Sequence, residues 1–107
     1  MLVIDDDPEL RESMQRLLVE WKYSVLVAAS LEDALVLAGS HQNDIRLILS
    51  DYRLASDVTG IHAIEAVTRR LARKVPAVII TGDTSAQPIA EAAQHGLRLV
   101  YKPVEPQ

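Results

Sequence analysis

Five short apolar runs punctuate the chain, and their ends carry the polar residues that matter. Met1 to Ile4 stops at Asp5, Asp6 and Asp7; Ile45 to Ser50 stops at Asp51; Ala77 to Ile80 stops at Thr81 and Gly82; Leu97 to Tyr101 stops at Lys102 and Pro103. Ser24 to Ala28 is a further run of the same kind. Runs of this length, rich in Val, Ile and Leu, read as buried strands. Between them the period changes to that of a helix. Asp7 and Pro8 suit an N-cap and a first helical residue, and Leu10, Met14, Leu17, Leu18 and Trp21 follow at helical spacing. Ser30 and Asp33 resemble a capping box ahead of Leu31, Ala34, Leu35 and Ala38, with Gly39 read as the helix stop. After a loop from Tyr52 to Thr59, Gly60 leads into Ile61, Ile64, Val67 and Leu71, a helix running toward Arg73 and Lys74. Pro88, Ile89, Ala92 and Ala93 mark a fourth, ended by Gly96. Strand and helix alternating in this way predict βα units wound into a parallel sheet, an α/β fold with one core over residues 1–107.

Composition agrees and excludes other classes. Hydrophobic residues make up 49% of 107, too many for a disordered chain. With no Phe, aliphatic side chains must fill the core, as in a parallel sheet covered by helices. The absence of Cys removes disulfides, thiolate-bound zinc and thiol nucleophiles. A formal charge of −4 predicts no direct hold on nucleic acid phosphates. No apolar run approaches a membrane span and no signal-like segment opens the chain, so the expectation is a soluble, cytoplasmic protein without membrane contact.

In an open parallel sheet the carboxyl ends of the strands share one edge, where ligands bind. Asp5, Asp6, Asp51, Thr81 and Lys102 are therefore expected to converge. Three carboxylates in a small volume repel one another unless a cation lies between them, and oxygen donors without His or Cys suit Mg²⁺. Lys102 and the Thr81 hydroxyl supply a positive charge and a hydrogen-bond donor for a phosphoryl group. Together these groups make a phosphoryl-transfer site that ends in an aspartyl phosphate. Each residue alone has a plainer role as a loop acid, a turn residue or a surface lysine; their coincidence at strand ends is the signal. Asp7 is read as a cap. His41, His62 and His95 show no ligand spacing and are expected to face solvent, and Arg69, Arg70, Arg73 and Lys74 are expected to form a solvated helix end.

The segments "LVIDDDP", "LILSDYRL", "VIITGD" and "YKPV", in this order, resemble the receiver domain of two-component response regulators over nearly the whole chain. "SDYRL", Thr59-Gly60, "TGDT" and "KPV" further look like receivers at the C-terminus of hybrid sensor histidine kinases. The resemblance implies a flavodoxin-like, doubly wound sheet of order 2-1-3-4-5. It implies that Asp51 accepts a phosphoryl group from a phosphohistidine on a histidine kinase or histidine phosphotransfer domain. Asp6 and Asp51 would bind Mg²⁺ directly, Asp5 through water, and Arg53 through its backbone carbonyl. Thr81 and Lys102 would meet the phosphoryl oxygens, and Lys102-Pro103 would be a cis bond. Such a domain is a switch and not an enzyme in isolation, with fused kinase domains and a homodimer among its expected associations.

Two positions depart from the family pattern. Leu99 stands where an aromatic residue in strand five usually rotates as the switch operates. Arg53 and Asp83 occupy positions that tune access of water to the acyl phosphate, and opposite charges there shield it if they pair. The other readings are a receiver-like interaction module that is not phosphorylated and a Mg²⁺-dependent phosphohydrolase with an Asp nucleophile. Arg53 occupies the place of the second carboxylate such hydrolases use. A glycine-rich nucleotide fold is excluded because Asp5, Asp6 and Asp7 follow the first strand. The family has a fifth helix for which the residues from Pro103 onward are too few, so the chain is expected to be part of something longer.

Overall fold

A computed structural model describes residues 1–54, 58–82 and 86–101. Five parallel strands form one sheet in the order β2-β1-β3-β4-β5, a doubly wound, flavodoxin-like arrangement. The strands are β1 (Leu2–Ile4), β2 (Leu26–Ala28), β3 (Ile48–Asp51), β4 (Ala77–Thr81) and β5 (Arg98–Tyr101). Helices α1 (Pro8–Glu20), α2 (Leu31–Ser40), α3 (Gly60–Leu71) and α4 (Ala86–Gln94) alternate with them. None of these helices is long and apolar enough to cross a membrane. The expected cis bond at Pro103 and the short segment after it lie outside the described residues, as do Lys102 and Asp83.

Burial follows position in the sheet. β1 lies between two neighbours and all three of its residues are buried, whereas the edge strand β5 exposes Arg98, Val100 and Tyr101. Register sets where strands begin. Leu2 pairs with Leu26 on one side and Ile48 on the other, so β2 and β3 start there and not at Ser24 and Ile45. Ile45 is nonetheless fully buried, because an aliphatic side chain can fill the core from a loop as well as from a strand.

The caps at Asp7 and Ser30 hold as read, and Thr59, read as the end of a loop, proves to be a third. Asp7 accepts from the Glu9 and Leu10 N–H groups, Ser30 Oγ from Asp33 N–H and Thr59 Oγ1 from His62 N–H. Helix ends differ in three places. α2 runs through Gly39 and stops at His41, whose N–H returns to the Leu37 carbonyl. The helix carries Ala38 in the core at 0% exposure and one glycine costs it only about 1 kcal/mol, too little to end it there. Trp21, placed in the apolar stripe of α1 by its spacing, caps the helix instead and is 57% exposed. α3 closes at Ala72 in the left-handed region, φ 58°, which turns the chain before Arg73 and Lys74.

That turn corrects the reading of the basic cluster as merely solvated. Arg73 Nη2 donates to the carbonyls of Gln42 and Ile45, the latter at 2.6 Å, and so ties the loop before β3 to the end of α3. Replacing Arg73 by Ala is expected to cost about 1.5–2 kcal/mol, the low end of the range for hydrogen bonds from a charged donor because the contact is partly exposed, measured as a shift in denaturation midpoint. Arg73→Lys should recover only part of it, since an ammonium lacks the planar fork.

Candidate phosphoryl-transfer site

Three strand ends build the site. Asp51 is the last residue of β3, paired with Ile80, and Thr81 is the last residue of β4, paired with Tyr101. Asp5 and Asp6 follow β1 directly. The Asp5 N–H bonds to the Ala28 carbonyl at 3.1 Å, carrying the sheet one residue past β1. Its carbonyl accepts from Arg11 Nη1 at 2.9 Å and its Oδ1 from the Asp7 N–H at 2.9 Å. Asp5 is thus held at 6% exposure by partners on both sides.

Carboxylate oxygens of Asp5, Asp6 and Asp51 lie within 4.8 Å of one another. Two like charges at that separation repel by about 1 kcal/mol in bulk water and by more where solvent is excluded. The burial is graded, with Asp5 buried, Asp51 intermediate and Asp6 exposed, so the cluster forms a cup open to solvent on one side. An all-oxygen donor set of this kind fits a hard divalent cation such as Mg²⁺. Thr81, 2% exposed, closes the β4 side.

Backbone contacts behind Asp51 fix its direction. The Tyr52 N–H donates to the Ile80 carbonyl at 2.9 Å, and the Tyr52 carbonyl accepts from the Gly60 N–H at 2.7 Å. Ser50 Oγ donates to the Asp51 carbonyl at 3.1 Å. α3 begins so close to this strand end that a Cβ on Gly60 would lie 2.1 Å from the Asp51 carbonyl oxygen. Glycine is required there by contact, which gives the Thr59-Gly60 pair a structural reason.

Of the residues named from sequence, Asp5, Asp6 and Asp51 come together, and Thr81 ends the strand beside Asp51. Leu99 is partly buried against the core on β5. Arg53 is exposed, with its guanidinium carbon 5.4 Å from the centre of the Tyr52 ring. His62 and His95 are exposed as expected, His95 with its Nδ1 2.7 Å from Glu65 Oε1, while His41, which caps α2, is half-buried.

Tyr52 was legible only as a loop residue, yet it is among the largest fully buried side chains, at 1% exposure. Its hydroxyl donates to Glu91 Oε1 on α4 at 2.8 Å, and Gln87 Nε2 donates to the same oxygen at 2.9 Å. These bonds, Tyr52 first, hold the Glu91 carboxyl below its ordinary range. Alternation from buried Ser50 through Asp51 would have aimed Tyr52 inward, but no spacing in the sequence pairs residues 52 and 91.

Comparison with known proteins is consistent with this geometry. The response regulator receiver domain model matches residues 1–107. The two-component response regulator ARR2 of Arabidopsis thaliana is 29% identical over 97% of the chain, and the transcriptional regulatory protein ZraR of Salmonella typhimurium 33% identical over 98%. The chain spans only 15% and 23% of their respective lengths. A crystal structure of a response regulator protein from Burkholderia pseudomallei, with a phosphorylated aspartic acid, calcium ion and citrate, superposes with a TM-score of 0.82. It is 27% identical, and the match covers 97% of this chain and 59% of that one.

Proposed function

The chain belongs to the response regulator receiver domain family, and on that footing we propose that it is a phospho-accepting switch whose acceptor is Asp51. The observation that carries this reading is the convergence of three carboxylates at the ends of β1 and β3, with the buried Thr81 at the end of β4. A carboxylate oxygen of Asp51 attacks the phosphorus of a phosphohistidine; the new O–P bond forms as the N–P bond breaks, and the imidazole leaves with the electron pair. Asp6, Asp51, Asp5 and the backbone carbonyl of Arg53 are the groups that would hold Mg²⁺, and the ion would supply positive charge beside the phosphoryl oxygens.

The chain's own groups set the rest. Asp5, pinned by Arg11 and the Asp7 N–H, orients the floor of the cup. The Thr81 hydroxyl and Lys102 meet the phosphoryl oxygens, and Arg53 with Asp83 shields the acyl phosphate from water. The donor is a histidine kinase or a histidine phosphotransfer protein, and the parent protein's output lies in sequence beyond a receiver, since the relatives are several times longer.

Incubation with acetyl phosphate and Mg²⁺ is expected to give a single phosphoryl adduct by mass spectrometry, absent when Mg²⁺ is chelated and absent in Asp51→Asn. An unmodified protein with every donor, a phosphorylated kinase included, would assign the domain to binding alone. Multiple turnover of phosphate esters would assign it to hydrolysis.

A further inference from the structure

The basic end of α3 takes no part in the acceptor site. Of its four cations, Arg73 is bonded to the loop before β3, and Arg70 lies with its guanidinium against Gly39 of α2. Arg69 and Lys74 do neither. Their side chains hold no hydrogen bond or ion pair among the described residues, and both line a cavity of about 650 Å³ to which α2 contributes nothing.

The close of α4 makes this cavity. The helix ends in a turn at Gly96, φ 65°, with the Leu97 N–H returned to the Ala92 carbonyl at 2.8 Å. Glycine takes that positive φ without strain, and the chain passes into β5 one residue later. His95, Gly96 and Leu97 border the cavity on this side, Thr68 and Arg69 border it from α3, and Pro76 and Ala77 border it where the chain enters β4. A Cβ on Gly96 would meet nothing within 4 Å, so the turn leaves the space open. The inner wall is apolar. Ile64 and Val75 are buried, and Ala77 and Leu97 pack partly against the core. A volume of this size, with mostly apolar walls and a few polar groups, is the form of a small-molecule site.

We propose that the cavity binds a small aliphatic carboxylic acid, with its hydrocarbon body against Ile64, Val75, Ala77 and Leu97 and its carboxylate between Arg69 and Lys74. Charge selects the ligand. The chain carries −4 overall, yet two cations without partners among the described residues stand at this mouth. The one carboxylate that borders it, Glu65, has its Oε1 2.7 Å from His95 Nδ1. A singly charged head suits a mouth that Glu65 also borders, since a phosphate would bring a second negative charge to it. An aliphatic alcohol fills the same space without drawing on the cations. Ala77 opens β4 and Thr81 ends it, so the cavity stands about 13 Å from the acceptor edge of the sheet. The site is therefore separate from the acceptor cup and does not depend on the acceptor reading.

The test is an amide chemical-shift titration of the full ¹⁵N-labelled chain with octanoate. Saturating shifts are expected at Ile64, Thr68, Val75, Ala77 and Leu97, with none at β1 or Asp51. Arg69→Gln and Lys74→Gln, both at exposed positions, should each weaken octanoate about two- to fivefold, the range for exposed ion pairs, and together about tenfold. 1-Octanol, which has the body without the charge, should match that tenfold loss in wild type, and acetate and inorganic phosphate should not saturate. Added salt should weaken octanoate and leave 1-octanol unchanged. Arg46→Gln removes the same charge from the rim of a different cavity, beside Tyr23 and Leu47, and should leave octanoate binding as it is. Shifts that do not saturate by about 10 mM octanoate, shifts centred on the Asp51 cup, equal binding of 1-octanol, or an affinity unchanged in the double variant would each overturn the proposal. Adduct formation from acetyl phosphate is measured separately: its absence overturns the acceptor reading alone, and a missing octanoate site overturns only this one.

Discussion

Gly60→Ala is expected to lower stability by about 3 kcal/mol or more, because an added methyl has nowhere to go. The Cβ would stand 2.1 Å from the Asp51 carbonyl oxygen and 2.9 Å from Ser50 Oγ, and the first of these is backbone in the middle of the sheet. Relief requires α3 to retreat from β3, which breaks the 2.7 Å bond between the Gly60 N–H and the Tyr52 carbonyl. In a domain this small each kcal/mol moves the melting temperature by roughly 4–8 °C, so a drop beyond about 10 °C is the expected reading. Phosphoryl acceptance should fall too, since the displaced carbonyl belongs to the acceptor residue. Gly39→Ala is the contrasting case. There the new Cβ meets only the end of the Arg70 side chain, at 2.6 Å, which swings aside. Gly39 lies inside a helix, so alanine should be neutral or stabilise by up to about 1 kcal/mol. Equal losses at the two glycines would show that helix packing, not contact with Asp51, governs both.

The two glycines also mark where the sequence was readable. Apolar runs ending in Asp, Thr or Lys placed four strands and one edge of the sheet, because burial on both faces leaves a continuous apolar signature and the chemistry falls where it stops. The three carboxylates were found in this way, before any geometry. Helix stops were harder. Gly39 looks like a C-cap and is not one, since whether a helix continues depends on what it lies against, here the Arg70 side chain of α3, a long-range fact. Trp21 misled for the opposite reason: the spacing put it on the buried stripe, but the helix ends there and the ring turns outward. The Tyr52–Glu91 bond lay beyond reach, because its partners are 39 residues apart and neither residue type announces the other. Arg73 was half legible, its charge suiting a helix end while its true partners are carbonyls of another loop.

Charge makes the second large effect. The carboxylate cluster is a liability without a cation, since every pair among Asp5, Asp6 and Asp51 repels across less than 4.8 Å. Removing one charge should therefore stabilise the metal-free protein. Asp51→Asn takes away two of the three repulsive pairs, worth about 1 kcal/mol each at the dielectric of water. With chelator present its melting temperature is expected to exceed that of wild type by several degrees. Mg²⁺ reverses the order. Binding to the folded state alone stabilises by RT ln(1 + [L]/Kd), so wild type should gain steadily with Mg²⁺ concentration while Asp51→Asn, short of a ligand charge, gains far less. The two melting curves should cross as Mg²⁺ is raised. Asp7→Asn provides the control: Asp7 caps α1 through the Glu9 and Leu10 N–H groups, and asparagine caps as well as aspartate, so neither its metal-free stability nor its response to Mg²⁺ should follow the Asp51 pattern. If Mg²⁺ raised wild type and Asp51→Asn equally, the ion would be acting on general surface charge, and the strand-end cup would lose its claim to hold it. If Asp51→Asn were less stable than wild type in chelator, the carboxylate would be serving the fold through a hydrogen bond stronger than the repulsion it feels. A crossing of the curves, absent in Asp7→Asn, is the outcome that ties metal, repulsion and acceptor to one place.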